Sequence, residues 1–104
     1  MRVTFSRLAT LSGNARVIDA VHAAGLVAYC NAELGADLPE GMPDWPSIRA
    51  KNGHPEPYDV KYWQIGNELW FMFEEMLELG GPSAVAGAVR SYMQAMRAVD
   101  PDIE

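Results

Sequence analysis

An asparagine–glutamate pair, Asn67 and Glu68, follows a short run of alternating residues in the segment VKYWQIGNELW. A glutamate that faces a cavity at the carboxyl end of a strand is well placed to donate or accept a proton. Aromatic residues flank the pair, with Trp63 before it and Trp70 and Phe71 after it. Because such neighbours reduce the solvation of a carboxylate, they raise its pKa and favour the protonated form near neutral pH. Two alternatives follow for the pair: a Glu68 carboxyl that holds its proton for catalysis, or an ordinary helix N-cap or solvated turn.

A β-strand over residues 60–66 is predicted to carry this pair, because its residues alternate and because Val, Tyr, Trp and Ile favour strands. Alternation turns Trp63 and Ile65 toward covering helices. The even-numbered residues from Tyr62 to Gly66 then share the face of Glu68. In α/β folds the carboxyl ends of parallel strands carry the reactive groups, which is where this pair would lie.

A helix is predicted over residues 83–99, directly after two glycines and Pro82. Its apolar residues recur at helical spacing and form one stripe, namely Val85, Val89, Tyr92, Met93, Met96 and Val99. Such a stripe needs another surface to pack on. The pair Asp100–Pro101 ends the helix, and Ile103 opens a further strand.

An earlier helix is predicted over about residues 14–33, with Asn14 as the N-cap. The apolar residues there recur at helical spacing, namely Val17, Ile18, Val21, Ala24 and Ala28. Gly25 leaves two alternatives open, since glycine weakens a helix interior and also commonly ends a helix. Either the helix continues to about Glu33, or it stops at Ala24 and Leu26–Cys30 forms a short buried strand.

Residues 35–58 are predicted to form a long loop, because five of the seven prolines and three glycines lie there. Unstructured connections of this length are uncommon and are often functional, and the alternative is a plain surface excursion. The residues before Ser12 predict a poorly formed strand.

The resulting order of strand, helix, loop, strand, helix and strand is typical of parallel βα units in an α/β fold. Helices must cover the faces of such a sheet. About two such units do not close a sheet or a barrel. The chain is therefore interpreted as one segment of a larger α/β domain.

Composition excludes several classes of function. The 104 residues include 14 acidic residues and 8 Lys or Arg, for a net charge of -6, which argues against a nucleic-acid partner. No apolar run reaches the roughly 18 residues that span a bilayer, and no signal-peptide pattern is visible, so a cytoplasmic protein without a membrane partner is expected.

The single cysteine, Cys30, excludes an intrachain disulfide and a multi-cysteine zinc site. A catalytic cysteine needs a histidine nearby, and neither His22 nor His54 lies in a recognisable motif. Cys30 is therefore expected to be a buried, inert thiol.

The block NGHPEPYDVKYWQIGNELW, Asn52 to Trp70, resembles the fourth-strand signature of the family 51 α-L-arabinofuranosidases. The wider clan of retaining glycoside hydrolases on (β/α)8 barrels shares only the Asn-Glu pair. The preceding NGHPEPYDVKYW narrows the choice, as does Leu69, where many cellulases and mannanases of the clan carry proline. The segments LVAYCN and MRAVDPDI add to a resemblance that covers most of residues 13–104.

This resemblance implies a partial (β/α)8 TIM barrel, from about its third helix to its fifth strand, because a whole barrel needs ~250 residues. It implies that Glu68 is the general acid/base and that Asn67 hydrogen-bonds a sugar hydroxyl. Trp70, close to this pair, is either a further substrate contact or part of the core. The second carboxylate of a retaining mechanism is the nucleophile. In the family it comes from the seventh strand, which is not in this chain. The resemblance implies no cofactor and no metal ion.

The activity implied is hydrolysis of terminal α-L-arabinofuranosyl residues in arabinose-containing polysaccharides or oligosaccharides, by a parent enzyme expected to be a homo-oligomer. The isolated chain is expected to be inactive without its nucleophile. The chain departs from the family at two positions: Gln64 stands where relatives often have glutamate, and Phe71 stands where many have glycine. The resemblance therefore does not determine the shape of the wall that faces the substrate. Two alternatives remain: a fragment of another clan member such as a cellulase or xylanase, or a non-catalytic assembly or interaction domain derived from a barrel fragment.

Overall fold

Two short strands and three helices make up the part of the chain that the computed structural model describes, which is residues 2–5, 19–65, 77 and 80–104. In chain order these elements are β1 (Arg2–Phe5), α1 (Ala20–Asn31), α2 (Trp45–Lys51), β2 (Tyr62–Ile65) and α3 (Pro82–Val99). Each strand is followed by a helix, α1 after β1 and α3 after β2, and α2 lies in the connection between α1 and β2. The α/β class predicted from the sequence is therefore confirmed.

The two strands pair in parallel, with Arg2 opposite Tyr62 and Phe5 opposite Ile65. A parallel pair needs a long crossover connection, and α1 lies within it. The connection places the carboxyl ends of both strands at the same edge of the sheet. The predicted strand at residues 60–66 is thus confirmed over Tyr62–Ile65, and Gly66 lies outside the described residues.

Glu104 pairs with β2 as well. Its N–H donates to the carbonyl of Lys61 at 2.8 Å, and its carbonyl accepts from the N–H of Trp63 at 2.8 Å. These two bonds flank Tyr62 in the pattern of a parallel pair. Because β1 also pairs at Tyr62, and one edge of a strand binds one neighbour at a given residue, Glu104 and β1 lie on opposite edges. Ile103 is buried beside this pairing, at the position where a further strand was predicted.

The helices cover one face of β2, and the core lies between them. Its buried members are Ala23, Val27, Ala88, Tyr92, Met96 and Ile103. Trp63 and Ile65 pack against this cluster, whereas Tyr62 is 54% exposed. The predicted alternation of β2 is therefore confirmed for these three residues.

Helix α3 closely matches its prediction, since it begins at Pro82 and ends at Val99. Gly81 precedes it with a φ of 71°, a conformation that glycine adopts without strain. The predicted stripe packs on α1 and β2 through Tyr92 and Met96, which are almost completely buried. Met93, at the edge of the stripe, is 38% exposed and is not core as the stripe predicted.

Helix α1 begins at Ala20, later than the predicted start near residue 14. Asp19 has extended backbone angles and caps the helix, because its carboxylate accepts the N–H of His22 at 2.8 Å. This hydrogen bond lowers the pKa of the Asp19 carboxyl. Asn14, the predicted N-cap, lies outside the described residues.

The two alternatives at Gly25 are also decided. The helix continues through Gly25 to Asn31, so Leu26–Cys30 is helical and not a strand. Packing explains why this helical position is a glycine, because a Cβ added to Gly25 would lie 2.9 Å from Nε1 of Trp45. Glycine in mid-helix here makes room for an indole ring.

The prediction of a structureless loop over residues 35–58 is wrong in its middle, where α2 lies. Asp44 caps this helix through hydrogen bonds to the N–H and the hydroxyl of Ser47, the latter at 2.7 Å. Pro46 stands in its first turn, where proline is favoured. This capping signal was present in the sequence, but the density of prolines around it concealed it.

Arg49 of α2 is completely buried, and none of its hydrogen-bond partners among the described residues is a carboxylate. Its guanidinium donates to four backbone carbonyls at 2.6 to 3.0 Å, those of Tyr29, Ala32, His54 and Pro55. Two of these carbonyls lie at the end of α1, where the helix dipole is negative. Arg49 therefore ties α1 and the segment leading to β2 around one cation.

None of the described helices is long and apolar enough to cross a membrane.

The two mid-helix glycines are expected to respond oppositely to alanine. Gly25→Ala should destabilise the chain, because the new methyl group displaces Trp45. Gly87→Ala should stabilise it by about 0.5 to 1 kcal/mol, since its Cβ would meet no described atom within 4 Å. Urea unfolding followed by circular dichroism measures both changes. In a Trp45→Ala background, Gly25→Ala should become stabilising too, and an unchanged sign there would contradict the packing argument.

Replacement of Arg49 by methionine is expected to lower the free energy of unfolding by about 3 kcal/mol or more, because four backbone carbonyls lose the buried donor that they share. Arg90→Met, at an exposed position of α3, is the matched control and should change stability by less than about 0.5 kcal/mol. Equal effects of the two substitutions in urea titrations would show that the Arg49 hydrogen bonds contribute little.

Candidate functional site

β2 leads directly into the predicted site. Asn67, Glu68 and Trp70 lie outside the described residues, as does Phe71, and the last described residue before them is Ile65. The structure therefore describes the strand that precedes the predicted site and the contacts that fix this strand in place. The paired ends of β1 and β2, Phe5 and Ile65, form the carboxyl edge of the sheet, the usual position of reactive groups in α/β folds.

The start of β2 is fixed by the side-chain amide of Asn31, the last residue of α1. Its Oδ1 accepts the N–H of Val60 at 2.7 Å, and its Nδ2 donates to the carbonyl of Val60, also at 2.7 Å. The same Nδ2 donates to a carboxylate oxygen of Asp100 at 2.9 Å. One amide thus joins the ends of α1 and α3 to Val60, two residues before β2 begins.

Trp63 holds the same strand from the helix side. Its indole N–H donates to the carbonyl of Val60 at 2.9 Å, and its ring packs against the core. A shift of β2 by one residue would take Val60 away from Asn31 and Trp63 away from the core. Such a shift would also move every side chain of β2 to the other face.

A polar cavity of about 420 Å³ lies at the amino end of β2. The charged residues that line it are Glu33, Asp37, Asp59, Lys61, Asp100 and Asp102. In the part of the chain that the structure describes, no three His, Cys, Asp or Glu side chains are grouped so as to hold a metal ion. The cavity lies at the opposite end of the strand from the predicted site.

An apolar groove of about 430 Å³ lies between α1, α3 and the segment that precedes α2. Trp45, Met42 and Val21 contribute its apolar surface, and His22 and Glu40 lie at polar positions of its lining. Helices cover one face of the sheet, and this groove lies on those helices.

Cys30 is buried in α1, and this burial raises the pKa of its thiol, although the charge of Arg49 acts in the opposite direction. Each histidine has another neighbour: His22 bonds Asp19 through Nδ1 at 2.7 Å, and the ring of His54 stacks on Tyr58 with centroids 3.9 Å apart. The predicted inert character of this cysteine agrees with its burial and its raised pKa.

Residues 9–104, nearly the whole chain, match the family described as alpha-L-arabinofuranosidase 1 domain. This chain belongs to the α-L-arabinofuranosidase family. The resemblance to family 51 that the block Asn52 to Trp70 indicated is thereby confirmed, since a solved structure with the same architecture is a GH51 α-L-arabinofuranosidase.

Relatives of this chain include proteins from a fungus and a bacterium. Alpha-L-arabinofuranosidase C of Emericella nidulans is 34% identical over 78 residues, which is 75% of this chain and 14% of the relative. The intracellular exo-alpha-(1->5)-L-arabinofuranosidase of Halalkalibacterium halodurans is 34% identical over 93 residues, 86% of this chain and 16% of the relative. The chain thus spans about one seventh of the length of these relatives.

Solved arabinofuranosidases have the same local architecture. The enzyme of Thermotoga maritima, crystallised as an arabinose complex, superposes with a TM-score of 0.64 at 32% identity. The superposition covers 88% of this chain and 17% of that chain. The GH51 enzyme of Thermotoga petrophila gives the same TM-score and identity.

The sequence analysis did not single out Asn31 and Arg49, although both residues hold several elements of the chain together. LVAYCN, which ends at Asn31, was recognised only as part of the family resemblance. An asparagine at the end of a helix gives no sign that it bonds a strand residue far along the chain. One weak signal could have indicated that Arg49 is buried: it lies four residues after Trp45, and therefore on the same face of a short capped helix.

The Cys30 thiol is expected to react with Ellman's reagent at pH 8 about 100-fold or more slowly in the folded chain than in urea, because only the thiolate reacts and only an opened structure exposes it. Absorbance at 412 nm gives both rates. A native rate within a few-fold of the rate in urea would mean that α1 is not packed as described.

Proposed function

We propose that the chain is the segment of a retaining α-L-arabinofuranosidase catalytic domain that supplies the general acid/base. The family match over residues 9–104 carries this proposal. The parallel pairing of β1 and β2 supports it, because the segment after Ile65 follows the carboxyl end of a strand, where (β/α)8 barrels carry catalytic residues. The domain hydrolyses terminal α-L-arabinofuranosyl residues of arabinose-containing saccharides, without a cofactor.

The fold of the complete domain is a (β/α)8 barrel in this proposal, with β1, β2 and the strand entered at Glu104 as three successive strands. The pairing of Glu104 and β1 with opposite edges of β2 supports this order. So does the position of α1 and α3 on one face, with the other face bearing Tyr62. In a closed barrel the helix face is outside and the other face is inside.

The reaction runs by double displacement. Glu68 protonates the glycosidic oxygen as its bond to the anomeric carbon breaks, while a second carboxylate, about 5 to 5.5 Å from that of Glu68, attacks the carbon and forms a glycosyl ester. The Glu68 carboxylate then removes a proton from water, which attacks the anomeric carbon and releases the second carboxylate. Asn67 donates a hydrogen bond to the neighbouring sugar hydroxyl, and Trp70 contacts the sugar.

The nucleophile comes from outside this chain in the proposal, and the positions of three other carboxylates support that. Glu104 lies beside Tyr62, three residues or about 10 Å along the strand from Ile65, which itself precedes Glu68. Glu33 lines the polar cavity at the amino end of β2, and Glu40 lines the outer groove. A spacing of about 5 Å to a carboxylate beyond the other end of β2 is incompatible with these positions.

The 104-residue chain alone is expected to show no turnover of 4-nitrophenyl α-L-arabinofuranoside above buffer, because one of the two carboxylates is missing. Release of 4-nitrophenol at 405 nm measures this. Turnover that Glu68→Gln abolishes would mean that the chain contains its own nucleophile and that the division of roles is wrong.

A chimera tests the proposed role of Glu68 directly. The matching segment of the Halalkalibacterium halodurans enzyme is replaced with that of this chain, which restores a complete domain around it. We expect Glu68→Ala to slow hydrolysis about 10²- to 10⁴-fold on substrates with poor leaving groups and much less on a 2,4-dinitrophenyl glycoside, which needs no protonation. Added azide should restore turnover and give a glycosyl azide of retained configuration, identified by NMR.

Two variants serve as controls in the chimera. Glu33→Gln, at the amino end of β2, should leave turnover unchanged. Asn67→Ala should lose activity on all leaving groups alike, by about 2 to 4 kcal/mol in transition-state stabilisation, without rescue by azide. If the parent chimera folds, as judged by circular dichroism and a cooperative melt, and is inactive, the catalytic proposal fails and a non-catalytic interaction domain is favoured.

A further inference from the structure

We draw no further inference here: the strongest candidate, the apolar groove on the outer side of α1 and α3 that Trp45, Met42 and Val21 line, carries nothing because nothing in the structure shows what covers it.

Discussion

The burial of one arginine is the constraint on which the described structure depends. Arg49 brings a full positive charge out of water, which is costly unless every donor is satisfied and the charge is balanced. Here the balance comes from carbonyl dipoles, two of them at the negative end of α1. The end of α1, the helix α2 and residues 54–55 must therefore meet at one point, and the prolines of this connection give it few other conformations.

The second fixed point is Asn31, and the two act in series along the chain. Arg49 fixes the connection after α1, and Asn31 fixes Val60, two residues before that connection becomes β2. Both lie at the amino end of the strand. The carboxyl end is thus left to the residues that carry the proposed chemistry, a division between stabilising and reactive faces that α/β barrels commonly show.

Sequence reasoning succeeded where the signal was local and periodic. Alternation in β2 gave the faces of Trp63 and Ile65, and the period of α3 gave its length to within one residue, because burial on one side imposes those periods directly. It failed where tertiary contacts decide the structure. At Gly25 the deciding partner is Trp45, which is distant in sequence. The start of α1 and the existence of α2 were missed for another reason, because their local caps, Asp19 and Asp44, were not recognised. The candidate site came from a motif, and its prediction rests on the family and not on geometry.

The hydrogen bonds of Asn31 also bear on how the protein ages chemically. Deamidation would turn this amide into a carboxylate, which would face the carboxylate of Asp100 and the carbonyl of Val60 with no proton to donate. The reaction begins when the following backbone nitrogen attacks the side chain. That nitrogen, in Ala32, donates a hydrogen bond to the carbonyl of Ala28 at 3.1 Å and is held at the end of the helix. The geometry that makes Asn31 indispensable thus also slows its loss.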